Sequence, residues 1–351
     1  MLIHNLSDKV RFMTFACLTG VALSGCSIIE DDLEPCPAGL QLQFVFDYNL
    51  LQADAFASQV KSVNVWAFDK SSGACVWSGS ESGDALARPG YIMVTPLPEG
   101  TYDFVVWGGL HDNADFELAT YAPVSKQELE VKLKTSSSDG LNISSSHFKG
   151  LFHGYIQDVN YEVDPQAPSV RTVTVPLIKD TNDIAVMLQN INGHSLNADD
   201  FTVKFSYADS WLAWDNSVMS ASPLVTYTPW SSLYGQTTVT PLSKAGDEDD
   251  DNVARTTLLY EISVSRLIKG GDAYLDVIRN DDNKTIIHVP LIEFFLLEKG
   301  NRYNQFGEQE YLDRRDDYSA LFFLNDQSDW YVAGGIYINN WVIVPPQTDN
   351  I

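Results

Sequence analysis

The residues with the clearest chemistry stand near the N-terminus, in the run Leu23-Ser24-Gly25-Cys26. Lys9 and Arg11 precede an apolar stretch over 12–23, which stops abruptly at this cysteine. A bilayer-spanning helix needs roughly 20 apolar residues, so the stretch is too short to span and has the form of a secretory signal. Small residues at the cut followed at once by a thiol make the lipobox pattern of bacterial lipoproteins. There the thiol accepts a diacylglycerol and becomes the new N-terminus. Residues 1–25 are therefore predicted as signal peptide and Cys26 as the lipidated first residue. Several acyl chains on one residue hold a soluble body at a membrane, since each buried CH₂ contributes about 0.8 kcal/mol.

Other reactive groups form no constellation. Cys17 leaves with the signal, so Cys36 and Cys75 remain. In an oxidising compartment they either bridge, closing a loop worth roughly 4 kcal/mol in the chain-entropy model, or stand as two separate buried thiols. Two cysteines offer no zinc spacing. His111, His147, His153, His194 and His288 show no i, i+4 pair. No G-x-S-x-G elbow occurs, and the carboxylates of Glu308, Glu310, Asp316 and Asp317 carry little information in so acidic a chain. In the run 246–252, Asp247, Asp249 and Asp251 match the first calcium-loop positions. Asn252 and Leu258 then stand where glycine and glutamate are required, which rejects an EF-hand and leaves only weak calcium binding by clustered carboxylates as an alternative. Trp211, Trp214, Tyr227 and Trp230 are expected in a sandwich core rather than on a sugar-stacking platform. No catalytic residue, metal site or cofactor is predicted.

The formal net charge of the 351-residue chain is −25, and loss of Asp8, Lys9 and Arg11 with the signal makes it one unit more negative. Such a surface repels phosphate backbones and anionic lipid, which argues against nucleic acid and against electrostatic membrane adsorption.

The elements that must carry these groups are strands. "SIIEDDLEP" has no period and reads, within 26–38, as a tether. From Leu40 the period becomes two: "LQLQFVFDY" sets Leu40, Leu42, Phe44, Phe46 and Tyr48 on one face. "SVNVWAFD", "YIMVTPL", "TYDFVVWGG", "ELEVKLK" and "RTVTVPLIK" repeat the signature, with Leu129, Val131 and Leu133 directed inward. Turn signals such as "KSSG" and "LPEG" separate them, and only "QADAFASQV" reads as a short helix. A second series runs from "NDIAVMLQNI" to "INNWVIVPP", with "IEFFLLEKG" fitting either a short helix or a bulged strand. The alternating segment 336–344 fits an internal edge strand or one offered to a neighbouring chain, and the prolines at 345 and 346 stop any ladder. Dense short strands with few helices argue for an all-β sandwich architecture, divided here as 39–179 and 180–351.

The stretch "CPAGLQLQFVFDYNLLQADAFASQVKSVNVWAFD" resembles the opening of the FimB/Mfa-type fimbrial anchor-subunit lipoproteins of Bacteroidota. The likeness continues in "LPEGTYDFVVWGG", "LFHGYIQDV" and "VTVPLIKDTNDIAVML", and closes in "QEYLDRRDDYSALFFLNDQSDWYVAGGIYINNWVIVPP". This resemblance implies two tandem transthyretin-like Greek-key β-sandwich domains. It also implies a non-catalytic subunit that attaches a fimbrial polymer to the outer membrane at the cell surface, with a fimbrillin as partner and no small-molecule substrate. Glu30, Asp31 and Asp32 are similar to the acidic signal that sends lipoproteins of this phylum to the surface, although a solvated tether explains them as well. Subunits of such polymers join by strand addition, in which backbone hydrogen bonds supply affinity and alternate side chains supply register. The competing expectation is a surface lipoprotein that binds glycan for nutrient uptake.

Overall fold

The computed structural model describes residues 39–164, 166, 169–239 and 253–343. Cys26, Glu30, Asp31, Asp32 and Cys36, and the acidic run 246–252 apart from these ranges, lie outside the described residues.

Strands dominate and form two sandwiches. In the first, a three-stranded sheet has the order Val170–Pro176, Gly39–Val45, Ile92–Thr95. It packs on a five-stranded sheet ordered Ile178–Lys179, Phe152–Tyr161, Gly100–Gly108, Ser62–Asp69, Cys75–Ser82. The period-two face is realised: Leu40, Leu42, Phe44 and Phe46 are buried against Val63, Val65, Phe104 and Val106. Tyr48 departs from that face. The strand ends at Val45, and Asp54 then accepts the Phe46 and Phe56 N–H groups, turning the chain into the short helix Phe56–Gln59.

"TYDFVVWGG" is buried almost without interruption, because its sheet is covered on both faces. Val105, Trp107, Trp66 and Phe68 point away from the first core and pack on Phe116, Leu129, Val131 and Leu133. Leu129, Val131 and Leu133 thus face inward as expected, although the strand itself spans only Val131–Leu133 after a 3₁₀ turn at Lys126–Glu128. Phe116–Leu118 pairs with Val131–Leu133, which pairs in turn with Trp211–Leu212, and Leu141–Ser144 runs parallel to Val225–Tyr227. Strands from residues 116–144 are therefore hydrogen-bonded into the second half of the chain, and one apolar core joins the halves.

The second sandwich has two six-stranded sheets. One is ordered Ser231–Val239, Val253–Val264, Asn182–Asn190, Asp317–Leu324, Ile336–Ile338, Trp341–Ile343. The other is ordered Lys284–Pro290, Tyr274–Arg279, Phe201–Tyr207, Val225–Tyr227, Leu141–Ser144, Ser136–Ser138. Ile184, Val186, Leu188, Tyr260, Ile262, Ala320 and Phe322 from the first sheet meet Val203, Phe205, Tyr227, Leu275 and Val277 from the second. "IEFFLLEKG" is helical within Leu291–Arg302, where Phe295 stacks on Tyr318 with centroids 4.1 Å apart. The segment after Gly335 is a hairpin rather than one continuous strand. Asn339 and Asn340 take φ +47 and +72, and this two-residue reversal pairs Ile336–Ile338 with Trp341–Ile343.

Candidate assembly surface

Two of the sequence-derived site features can be placed. Cys75 opens the edge strand Cys75–Ser82, half-buried, with its thiol 3.6 Å from the Trp77 carbonyl oxygen; burial pushes that thiol up. Among the four aromatic residues expected in the core, Tyr227 is fully buried, whereas Trp211, Trp214 and Trp230 are only partly covered. Trp214 and Trp211 serve the seam between the halves. Lys126 Nζ lies 4.3 Å over the Trp214 ring and Lys132 Nζ 3.8 Å over that of Trp211, while the Trp214 carbonyl is 2.8 Å from His153 Nε2. Burial lowers the His153 pKa to about 4, so the ring is neutral at physiological pH.

The seam is held by buried charge that no local spacing announced. Arg266, just past the strand Val253–Val264, donates from Nε and Nη2 to both Asp313 carboxylate oxygens, at 2.9 and 2.8 Å, and from Nη1 to the Asn216 carbonyl. Asp180, in the connection between the sandwiches, accepts from Asn216 Nδ2 at 2.8 Å and lies 3.7 Å from Arg266 Nε. Because the guanidinium is committed to Asp313, burial prevails at Asp180 and pushes its carboxyl up to about 7. Asp209, also fully buried, accepts from the Tyr227 hydroxyl and is likewise pushed up to about 7 by burial. A second clamp forms at the bulge between Ile156 and Val159. There the Asp158 N–H donates to Asp103 at 3.0 Å, and Lys126 and Lys70 approach it at 2.8 and 3.2 Å. Burial works against that charge, but these donors outweigh it and hold the Asp103 carboxyl below its usual range. Arg314 completes the seam, with its guanidinium 4.0 Å over Tyr48.

This rigid seam leaves sheet edges at its periphery. Among the described residues, Ile92–Thr95 pairs on one side only, with residues 40–43, and exposes 42% of Ile92 and 62% of Val94 while Met93 and Thr95 turn inward. Towards the other end, Trp341–Ile343 is the outermost strand of its sheet among the described residues. Unpaired N–H and C=O groups on such edges are templates for another chain. No helix among the described residues is long and apolar enough to cross a membrane.

The profile of the fimbrillin-A associated anchor proteins Mfa1 and Mfa2 matches residues 33–345, nearly all of the chain beyond the signal segment. The chain belongs to this family. It is 21% identical over 323 residues to the minor fimbrium anchoring subunit Mfa2 of Porphyromonas gingivalis, covering 92% of this chain and 90% of that protein. A Bacteroides thetaiotaomicron protein described as a candidate adhesin superposes with a TM-score of 0.75 at 29% identity, over 90% of this chain and all of the other. The crystal structure of the Porphyromonas gingivalis anchor protein Mfa2 gives a TM-score of 0.62 at 17% identity, over 88% and 99%, and so shares the fold. The all-β architecture and the resemblance in the ordered motifs are both confirmed by these matches.

Proposed function

We propose that the chain is the lipid-anchored base subunit of a fimbrium: it is held in the outer membrane by acyl chains on Cys26, faces the cell surface, and joins a fimbrillin by strand addition. The observation that carries this reading is the position of the family match, which begins at residue 33, directly after a complete lipobox ending at Cys26. Glu30, Asp31 and Asp32 fall between the two, where a surface-export signal must lie. The role is structural rather than catalytic, in keeping with a family of anchor proteins. The exposed edge at Ile92–Thr95 supports strand addition, because no described strand pairs with its outer side and its outward side chains are apolar.

The test is Cys26→Ala in the native cell, exported through an ordinary signal peptide, with fimbrial polymer measured on cells and in the medium. Polymer shed into the medium from otherwise bare cells is the expected result. Unchanged retention together with impaired growth on a polysaccharide would replace the anchor with a glycan-uptake lipoprotein.

A further inference from the structure

The outer face of the six-stranded sheet that contains Asn182–Asn190 carries a polar trough that the anchor role does not use. Backbone register places Ser231, Glu261, Ala185 and Ser319 side by side across four strands, and Asn339 continues the row by accepting the Ser319 N–H at 2.7 Å. Their sequence neighbours Ile184, Val186, Tyr260, Ile262, Tyr318 and Ala320 are buried in the core, so this row points outward. In the next row, Asp183 stands opposite both Ser263 and Asp317. Short side chains at Ala185 and Ser319 make a low floor in the middle of the sheet. Taller groups wall it: Trp230, stacked on His147 with centroids 4.2 Å apart, at one end, and Arg315 and Asn340 at the other. The open trough has a volume of about 480 Å³. That lies within the ~300–1,000 Å³ of small-molecule sites and leaves room for a short saccharide.

The unspent hydrogen-bonding capacity of the trough is mixed. The Glu261 carboxylate has no side-chain partner among the described residues, and Asp183 accepts from Ser263 at one oxygen and holds the other 4.0 Å from His147 Nε2. On the donor side, the Asn340 amide has no partner among the described residues, whereas the Trp230 Nε1–H is buried out of a ligand's reach. Arg315 in the wall already donates to the Asp317 carbonyl and to Glu298, so the carboxylates of Asp183, Glu261 and Asp317 prevail and disfavour an anionic ligand. A lysine ammonium would satisfy them but leave the Asn340 amide idle. A sugar hydroxyl both donates and accepts, and the apolar face of a pyranose suits an aromatic wall.

We propose that this trough binds a neutral pyranose unit of a glycan. The site is independent of the anchor reading, since binding measured on purified protein does not depend on polymer retention in cells. The experiment takes the full mature chain in detergent micelles. Saturation-transfer NMR and calorimetry are run with neutral oligosaccharides ending in galactose, mannose, glucose or N-acetylglucosamine, with sialylated counterparts, and with a lysine-rich peptide. At least one neutral saccharide is expected to bind with a millimolar or tighter Kd, and its sialylated form more weakly. Ala185→Leu, which fills the floor from the solvent side of the sheet, should weaken binding at least tenfold. Glu261→Gln, nearly isosteric and on the surface, should weaken it several-fold with unchanged thermal unfolding. Absence of binding by every neutral saccharide in the millimolar range overturns the proposal. So does binding that survives both substitutions, or capture of the lysine-rich peptide in place of sugar.

Discussion

Replacing Arg266 by methionine tests whether buried charge holds the two sandwiches together. The side chain of Arg266 is only 12% exposed, and those of its acid partners Asp180 and Asp313 are 0% and 5% exposed. Arg266→Met keeps most of the volume but strands two carboxyls in the seam between the connection at Asp180 and the helix Glu308–Arg314. Removing one member of a buried ionic group costs about 3–5 kcal/mol, because the remaining charge is left uncompensated. The exposed pair Lys269 and Glu308, with side chains 58% and 45% exposed, is the internal control. Lys269→Met should cost under about 1 kcal/mol. Urea unfolding, followed by tryptophan fluorescence and circular dichroism at pH 5 and pH 8, measures both variants. The Arg266→Met penalty should be larger at pH 8. At pH 5 Asp180, whose carboxyl titrates near 7, is already neutral and needs no cation. A loss no greater than that of Lys269→Met at pH 8, or a larger loss at pH 5 than at pH 8, would refute this account of the seam.

Wild-type stability itself should fall between about pH 4 and 7. Asp180 and Asp209 have folded pKa values raised to about 7, so the unfolded chain gives up these protons first and ionisation favours unfolding until the folded groups also titrate. Each carboxyl contributes on the order of 4 kcal/mol across that window, and together they outweigh the opposite contribution of about 3 kcal/mol from His153, whose folded pKa is lowered to about 4; Asp209→Asn, which keeps an acceptor for Tyr227, should flatten the slope in urea titrations run at unit pH steps. Gly109 has φ +84, and a Cβ there would sit 1.9 Å from the Gly150 carbonyl oxygen. Gly109→Ala should therefore cost about 3 kcal/mol or more in thermal unfolding, against about 1–2 kcal/mol for Gly73→Ala, which shares the positive φ but meets open space.

The strand faces were legible because each sandwich wall is an alternating pattern with a single buried side, as at Leu40, Leu42, Phe44 and Phe46. Legibility fails where that condition fails. Gly100–Gly108 is buried on both faces, so alternation disappears and the second layer over it is invisible in the local pattern. The hairpin at the end of the described chain was signalled by Asn339 and Asn340, both of which tolerate the left-handed region, but the alternating apolar residues on either side masked the reversal. Trp211, Trp214 and Trp230 are only partly covered, Trp214 against the core, for a related reason. They fill or border surfaces created only when residues 116–155 and 208–230 meet, and contacts that distant in sequence leave no local period. Arg266 gave no warning at all: its partners Asp180, Asn216 and Asp313 are scattered over more than a hundred residues, and only the fold assembles them.

The strand directions give the anchor reading a mechanical content. Force from an acyl tether at Cys26 would enter the described fold at Gly39, the start of Gly39–Val45. That strand lies in the middle of its sheet, parallel to Val170–Pro176 over seven residue pairs, and the latter leads through Asp180 into Asn182–Asn190. Pulling the N-terminal end of one parallel strand against the C-terminal end of the other loads all the connecting hydrogen bonds together in shear. An antiparallel pair entered at a hairpin would instead peel one bond at a time. The same geometry recurs in the second sandwich, where Asn182–Asn190 runs parallel to Asp317–Leu324 over eight pairs before the chain reaches its terminal hairpin. In sheets whose other pairings are mostly antiparallel, these two parallel junctions lie in series along the route from the tether to the far edge. The clamp at Arg266 ties the connection between them to the helix that precedes Asp317–Leu324. A subunit built to hold a polymer on a membrane needs its resistance there, along the covalent path of the load, rather than at the exposed sheet edges.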